Sequence, residues 1–428
     1  MSISFPIRRA VAAALMFAIT LPSWAADPLT LTEAQRIAVG RSQQLVAQDD
    51  LASAARDQAM AAGQLPDPVL RLGIDNLPIN GPDRFSLNND FMTQRSIGLM
   101  QEFPSTEKRQ LRSERFEREA QRIQAQRQLT LANVQRDTAL AWLNRYYSQA
   151  QRELMQQQIE ESQLQVQAAD IAFRTGRGNE ADLFAARAAV IGLQDRLSQI
   201  EQQSRSAGLS LARWVGAAAA ERPPAGPPPW QSTPLQGEDL SEHLKQHPDL
   251  RVIRAEIDAA ETEVQLAQAN KHADWSVEAS YSQRGPAYSN MVSIQVSIPL
   301  QWDQQDRQDR EVAAKLALVD EAQARYDDML RSHEAEVSSL LNDWQTGKDR
   351  VARYRNELIP TAHQRSEAAL TAYRGGKGDL ASALSARRDE VDARLQALTV
   401  EMDTARSWAQ LNYLIPDHSM AMSGQEQP

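Results

Sequence analysis

A few histidines and methionines are spaced as metal ligands could be. His243 and His247 lie four positions apart, so on a helix they would share a face, as two histidine ligands of zinc do. His418, Met420 and Met422 combine softer ligands of the kind that copper prefers. The chain has no cysteine and no HExxH motif, and Pro248 directly follows His247. We therefore expect both histidines on the surface, a polar C-terminal tail, and no metal site. The remaining candidates, His272, His333 and His363, are isolated in the sequence.

No catalytic motif is present. The segment Arg374–Gly378, RGGKG, lacks the phosphate-loop pattern and has no strand before it. Serine, histidine and aspartate occur without a nucleophile-elbow sequence. We predict that the protein is not an enzyme and uses no cofactor. The net charge of −10 and the lack of a basic, aromatic-interleaved stripe argue against nucleic acid as a partner.

The chain carries one motif twice. Ile171–Arg187 reads IAFRTGRGNEADLFAAR, and Thr371–Arg387 reads TAYRGGKGDLASALSAR. In both, a long helical pattern breaks at glycines and then restarts, which predicts the tip of a helical hairpin. The tip residues are Arg174, Thr175, Gly176, Arg177 and Gly178 in the first copy, and Arg374, Gly375, Gly376, Lys377 and Gly378 in the second.

Each tip must be presented by very long helices. Aromatic residues make up only 6% of the 428-residue chain, and the segments between the breaks are rich in Gln, Arg, Ala, Glu and Leu, which is typical of long helices or coiled coil. Leu140, Leu143, Tyr147, Ala150 and Leu154 follow a heptad seam. A single helix from Ser105 to the tip would be about 100 Å long, at about 1.5 Å per residue.

The copies divide the chain into two repeats. We predict a first repeat over residues 26–216, with strands at 69–79 and 85–103 and a helical hairpin over 105–216. A Pro-rich linker follows at 217–237. The second repeat, 238–416, has strands at 274–283 and 291–300 and a hairpin over 304–416. Residues 417–428 form the tail. Pro360 is expected to interrupt or kink the second long helix.

Residues 1–25 are predicted to be a cleavable signal peptide. Arg8 and Arg9 precede an apolar stretch of signal-sequence length, and Ser23-Trp24-Ala25 offers small residues at the cleavage site. The exported protein should have no disulfide and no lipid-carrying cysteine, because the chain contains no cysteine.

The predicted strands alternate between apolar and polar residues. Val292, Ile294 and Val296 alternate with serine and glutamine, and strands of about ten residues match the span of outer-membrane strands. Four strands cannot close a barrel, so this interpretation requires an oligomer: a dimer with eight strands or a trimer with twelve. A soluble antiparallel sheet with one wet face is the alternative for each strand alone.

The two-copy layout, the Phe173-Arg174-x-Gly176 and Tyr373-Arg374-x-Gly376 tips and the Pro-rich linker resemble the TolC family of outer-membrane efflux ducts, over about Leu29 to Pro416. Leu65–Ile79, LPDPVLRLGIDNLPI, resembles the first strand of the heavy-metal (CzcC/CusC-like) branch. The resemblance implies a mainly α homotrimer in the outer-membrane lipid, with a helical α-barrel tunnel in the periplasm and a 12-stranded transmembrane β-barrel. It also implies docking of the tips on a periplasmic adaptor that is bound to an inner-membrane pump of the RND type.

The same resemblance makes the tips both docking site and gate. TolC-like ducts carry acidic residues just inside the second tip, where this chain has Ser382 and Ser385. The first copy keeps Asp182 at the matching place, so a thinner cation-attracting ring is the hypothesis there, against a plain solvated acid. Ion pairs among Asp182, Arg174, Arg374 and Lys377 could hold the tunnel shut.

The function that follows is passive export of heavy-metal cations through an outer-membrane duct. A general drug or solute duct is the alternative within the same class. A periplasmic coiled-coil adaptor or a secreted scaffold would belong to a different class; two hairpins and four amphipathic strands argue against an adaptor.

Overall fold

A computed structural model describes residues 27–226, 229–233 and 244–414. The predicted signal peptide, His243, His418, Met420 and Met422 lie outside these residues, as do residues 227–228 and 234–237 of the predicted linker and the whole of the predicted tail. The chain is mainly helical, as the sequence predicts. Within the described residues, no helix combines the length and the apolar character needed to cross a bilayer.

The first repeat consists of two short helices, two strands and a long helical hairpin. Its elements are α1 (Leu31–Arg41), α2 (Gln43–Ala62), β1 (Val69–Asp75), β2 (Gln94–Phe103), α3 (Thr106–Arg174) and α4 (Glu180–Val215). The 69-residue α3 begins at Ser105, whose side chain accepts the N–H of Lys108 as an N-cap. At about 1.5 Å per residue, α3 places its tip about 100 Å from the strands.

The second repeat follows the same order after the short helix α5 (Ala217–Ala220). Its elements are α6 (Pro248–Ala269), β3 (Trp275–Gln283), β4 (Met291–Ser297), α7 (Gln308–Arg353), α8 (Ile359–Arg374) and α9 (Leu380–Asn412). A π-helical turn, Tyr354–Leu358, joins α7 to α8. Pro360 lies two residues after this turn and lacks the N–H that the preceding turn would need, so the predicted irregularity takes the form of a widened turn.

The four strands form one antiparallel sheet in the order β1-β2-β3-β4. The central pairing, β2 with β3, joins the two repeats. Leu72 lies opposite Ile97, and Ala279 lies opposite Ile294, so the apolar side chains of neighbouring strands share one face of the sheet. That face is apolar and open in the single chain: Leu70, Leu72, Ile74, Ile97, Leu99, Val292, Ile294 and Val296 are all 49–75% exposed.

The other face of the sheet is polar. Arg71 on β1 forms an ion pair of 2.9 Å with Glu278 on β3, and Ser96 donates to Asp75 at 2.8 Å. The loops beyond the strands touch as well, because a Cβ at Gly285 would lie 1.9 Å from the carbonyl oxygen of Asn88. The sheet therefore presents one apolar and one hydrophilic surface.

The main core lies where the repeats meet in the helical region and centres on tryptophans. Trp142 on α3 donates its Nε1–H to the carbonyl of Leu29 at 2.9 Å, and Trp344 on α7 donates to the carbonyl of Trp230 at 2.8 Å. Each long helix is thus fixed to the segment that leads into its own repeat. Leu29 also pairs with Pro223 and Ala225, so the linker is tied to the start of the first repeat.

Several predicted boundaries were too long. β1 ends at Asp75 rather than at residue 79, because Asn76 takes a φ of +54° and starts the loop. β2 begins at Gln94 rather than at residue 85, and β4 ends at Ser297. After β4 the alternation continues to Ile298 and Leu300, so it could not locate the end of that strand.

Candidate docking tips and the ion-pair network behind them

The two tips have the same backbone conformation. In the first, the N–H groups of Arg177 and Gly178 both bond to the carbonyl of Ala172; in the second, Lys377 bonds to Ala372 in the same way. Gly176 and Gly376 have φ values of +69° and +68°, a region that glycine occupies without strain. The motif repeated in the sequence is therefore one structural turn used twice.

The second glycine of each tip is also required by the turn. A Cβ on Gly178 would lie 3.1 Å from the Cβ of Ala172, and one on Gly378 would lie 3.1 Å from the Cβ of Ala372. Local turn geometry thus accounts for Gly176 and Gly178 in the first tip and for Gly376 and Gly378 in the second.

Each return helix begins with a matched cap. The side chain of Asn179 accepts the N–H of Asp182 at 2.7 Å, and that of Asp379 accepts the N–H of Ser382 at 2.7 Å. The hydroxyl of Ser382 also donates to Asp379 at 2.9 Å. The bonds made by Ser382 and by the N–H of Asp182 are therefore local capping contacts. Ser385 is exposed one turn further on.

The basic tip side chains are exposed. Arg174 pairs with Asp170 on its own helix at 2.7 Å. Among the described residues of this single chain, neither Asp182, Arg374 nor Lys377 forms an ion pair. The suggested ion pairs between the tips are therefore not formed within one chain, and contacts between copies stay a prediction.

The tips lie side by side. Ala169, Leu183 and Ala186 of the first hairpin form one apolar cluster with Leu380 of the second. Tyr373 packs against this cluster. Burial, together with the negative charge of Asp182, raises the pKa of Tyr373. The two tips therefore present a single surface carrying basic side chains from both repeats.

Behind the tips lies a buried carboxylate that the sequence analysis missed. Glu390 on α9 is fully buried and is bonded by Arg387 at 2.8 Å, Arg394 at 2.7 Å and His363 at 2.8 Å. Burial alone would raise the pKa of Glu390, but the hydrogen bond from His363 and the two guanidinium charges outweigh it and lower the pKa. Arg387 also pairs with Glu161 on α3, so this network links the two hairpins.

The Glu390 network has no counterpart in the first hairpin. Val190 occupies the matching position after the first tip and is buried among Met155, Ile159 and Ile200. An acid replacing a core valine between two aligned repeats is the sequence signal that could have revealed the network.

The structure corrects the prediction for His247 and His333. His247 is buried rather than exposed, because it is the N-cap of α6 and packs on His333 with ring centroids 4.2 Å apart. Burial, with the nearby charge of His333, lowers the pKa of His247 to about 4. The interaction between His333 and Asp249 raises the pKa of the histidine and lowers the pKa of the aspartate. His363, the third isolated histidine, meets Glu390.

The fold is shared with several solved outer-membrane channels. The chain superposes on CusC with a TM-score of 0.77 at 16% identity, covering 90% of this chain and 92% of that one. It superposes on the outer-membrane channel OprN with a TM-score of 0.76 at 16% identity, covering 90% of each chain. The CmeC outer membrane channel of Campylobacter jejuni gives a TM-score of 0.73 at 14% identity, covering 98% of this chain and 97% of that one.

Residues 240–415, the second repeat, match the model of the outer membrane efflux protein family. No curated protein matches the chain. The family match and the shared fold together support the resemblance to the TolC family.

Proposed function

We propose that this protein is the outer-membrane duct of a tripartite efflux system of the RND type and that it passively exports heavy-metal cations. The observation that carries the proposal is the polarity of the molecule along α3. At one end lies a four-stranded sheet with an open apolar face and, within the described residues, unpaired outer edges on β1 and β4. About 100 Å away lie two adjacent basic tips.

Three copies would complete the duct. An edge strand presents free N–H and C=O groups, so β1 of one copy can pair with β4 of the next. Twelve strands would then close in the outer membrane, with the apolar face towards lipid and the polar face towards the lumen. The long hairpins would form the periplasmic tunnel after export directed by the N-terminal signal sequence.

The tips would dock on a periplasmic adaptor bound to the inner-membrane pump. The exposed side chains of Arg174, Arg177, Arg374 and Lys377 suit an adaptor surface carrying carboxylates. Asp182, Ser382 and Ser385 would line the narrow end of the lumen. If ion pairs between copies close that end, removing the charges of Asp182, Arg174, Arg374 and Lys377 should raise conductance in planar bilayers. Unchanged conductance would refute the closure.

Support for a metal cargo comes from Leu65–Ile79, which resembles the first strand of the heavy-metal branch. The fold itself does not distinguish cargoes, because CusC, OprN and CmeC match it almost equally well. A general drug or solute duct is the second candidate on that ground.

The deciding experiment is gene deletion with complementation, read against salts of zinc, cobalt, cadmium, nickel, copper and silver beside dyes, detergents and antibiotics. The complementing protein is fractionated, and its trimer is assayed by heat modifiability on gels. Sensitivity to metals alone is expected. Sensitivity to organic compounds alone would assign the general duct, and a periplasmic monomer without phenotype would refute both.

A further inference from the structure

Three potential metal ligands meet in the helical body, far from the tips. His247 caps α6, Asp249 lies in the first turn of α6, and His333 lies in the middle of α7. His333 Nε2 is 3.4 Å from Asp249 Oδ2, and His247 Nδ1 is 3.8 Å from the same oxygen. All three ligand atoms lie within 4.8 Å of one another.

These separations suit a common ion. Ligands about 2.0–2.1 Å from a tetrahedral zinc ion lie roughly 3.4 Å from one another. The observed pairs at 3.4 and 3.8 Å are close to this value, so small rotamer changes would bring all three atoms onto one metal.

The two imidazoles of this cluster are buried but poorly hydrogen-bonded. His247 and His333 are only 6% and 7% exposed. Among the described residues, His333 Nε2 has only the 3.4 Å contact with Asp249 Oδ2, which does not meet hydrogen-bond geometry, and this is costly for a buried polar atom. The ring of His247 accepts a long hydrogen bond of 3.3 Å from the N–H of Asp249, and this bond occupies the Nδ1 lone pair that a metal would use.

A second carboxylate is placed to orient His333. Glu336 Oε2 lies 3.6 Å from His333 Nδ1, on the side of the ring away from Asp249. A carboxylate behind a ligating histidine fixes the tautomer that directs the Nε2 lone pair at the metal. Asp249 and Glu336 supply two negative charges against the single positive charge of Arg136, which also borders the site.

Space for a further ligand is present. A cavity of about 180 Å³ opens beside the cluster, bordered by Asn133, Arg136 and Gln410. It can hold water, which needs polar partners of this kind. Three protein ligands and one water form a common arrangement around zinc.

We propose that His247, Asp249 and His333 bind a divalent transition-metal ion, with Glu336 orienting His333. Two imidazoles and one carboxylate suit zinc, nickel or copper(II) rather than calcium or magnesium, which prefer oxygen ligands. The ion fastens the start of α6 to the long helix of the second repeat. This role is independent of whatever the duct transports.

The first repeat offers an internal comparison. Ser42 caps α2 where His247 caps α6, and Leu131 precedes Trp142 by the same number of residues as His333 precedes Trp344. Serine and leucine do not make a zinc site. The proposed site therefore belongs to the second repeat alone, and one ion per chain is expected.

The test uses the full-length exported protein in detergent, without a polyhistidine tag, after treatment with EDTA. Zinc binding is measured by isothermal titration calorimetry and elemental analysis, with magnesium as the comparison ion. One zinc per chain should bind, magnesium should not, and zinc should raise the melting temperature. Absence of a zinc site in the wild type would overturn the proposal.

Matched variants locate the site. His247→Gln and His333→Gln should each lower zinc affinity at least 100-fold, whereas His272→Gln, which changes an exposed histidine, should leave it unchanged. Glu336→Gln alters a side chain outside the ligand set and should weaken zinc about 10-fold without affecting folding. If His333→Gln and Glu336→Gln, both shown to be folded by circular dichroism, bind zinc as the wild type does, the assignment is wrong.

Discussion

The two hairpins have the same outline but are closed by different chemistry. In the first, Arg145 on α3 reaches across to Ser204 on α4, bonding its hydroxyl at 2.8 Å and its carbonyl at 3.0 Å. In the second, Gly347 on α7 lets Thr404 on α9 approach so closely that a Cβ would lie 2.2 Å from the threonine oxygen. A long side chain and a missing one thus serve the same helix pairing.

Behind the tips the two hairpins differ again, with an apolar contact in the first and a charged contact in the second. The first hairpin buries Val190 in an apolar cluster, whereas the second buries Glu390 among Arg387, Arg394 and His363. The features that both copies retain, the tip turns and the tryptophan hydrogen bonds, are the ones that the shared fold requires. The features that differ are not interchangeable between the copies, and substitutions can test this.

Placing the arginine of the first hairpin in the second should have the largest effect. Gly347→Arg would force α7 away from α9, and even Gly347→Ala should cost about 1–3 kcal/mol through overpacking against Thr404. Urea denaturation in detergent measures the change. Gly192→Ala, at an open helix position, is the control and should be neutral or stabilising. The prediction fails if Thr404→Ala, which removes the crowded oxygen, does not recover part of the loss in Gly347→Ala.

Removing the buried charge should rank next. Glu390→Gln leaves Arg387 and Arg394 without their carboxylate, and we expect a loss of about 2–3 kcal/mol, below the range for fully buried pairs because Arg394 reaches solvent. Denaturation compares it with Asp389→Asn, which breaks an exposed pair with Arg365 and should cost under about 1 kcal/mol. Equal losses in the two variants would show that burial does not matter here.

Acid should act through the same group. The pKa of Glu390 is lowered in the fold, so its contribution is fully present above the unfolded value of about 4.5 and is lost as pH falls through the folded value. Wild type should therefore lose stability more steeply below pH 4.5 than Glu390→Gln does. Melting temperatures between pH 7 and pH 3 measure the difference, and parallel curves would contradict the assignment.

The two tryptophan hydrogen bonds should make modestly different contributions to the free energy of unfolding. In Trp142→Phe the carbonyl of Leu29 still accepts the N–H of Ala225, so we expect a hydrogen-bond loss of about 1 kcal/mol. Trp344→Phe should cost about 2 kcal/mol, because the carbonyl of Trp230 loses the indole donor from a buried setting. Denaturation of the two variants side by side checks the order, and a larger loss in Trp142→Phe would reverse it.

The tips should show the smallest and most equal effects. Gly176→Ala and Gly376→Ala each place a side chain at positive φ and should cost about 1 kcal/mol, confined to the turn. Site-directed cross-linking to an adaptor would show whether either change also weakens docking. A large loss in only one of the two would mean that the tips are not equivalent.

Much of this architecture could be predicted from the sequence because it depends on local signals. The tip glycines are needed by a local turn, and Val292, Ile294 and Val296 mark one face of a strand. Glu390, by contrast, meets His363 through the packing of α9 on α8, and its partner Arg387 meets Glu161 on α3. His247 meets His333 only through the packing of α6 on α7. Contacts between distant helices depend on their relative rotation, which periodicity within one helix does not fix.

The π turn at Tyr354–Leu358 has a consequence for the history of the duplication. Two fewer residues separate Trp344 from Arg374 than separate Trp142 from Arg174. At roughly 100° per residue, that loss alone would swing the second tip about 200° away from its partner helix. The π turn contains one extra residue that does not advance the α-helical rotation, and this removes about another 100°. The combined change of about 300° is close to one full helical turn. An ancestral copy could thus be shortened and still keep its seam facing inward.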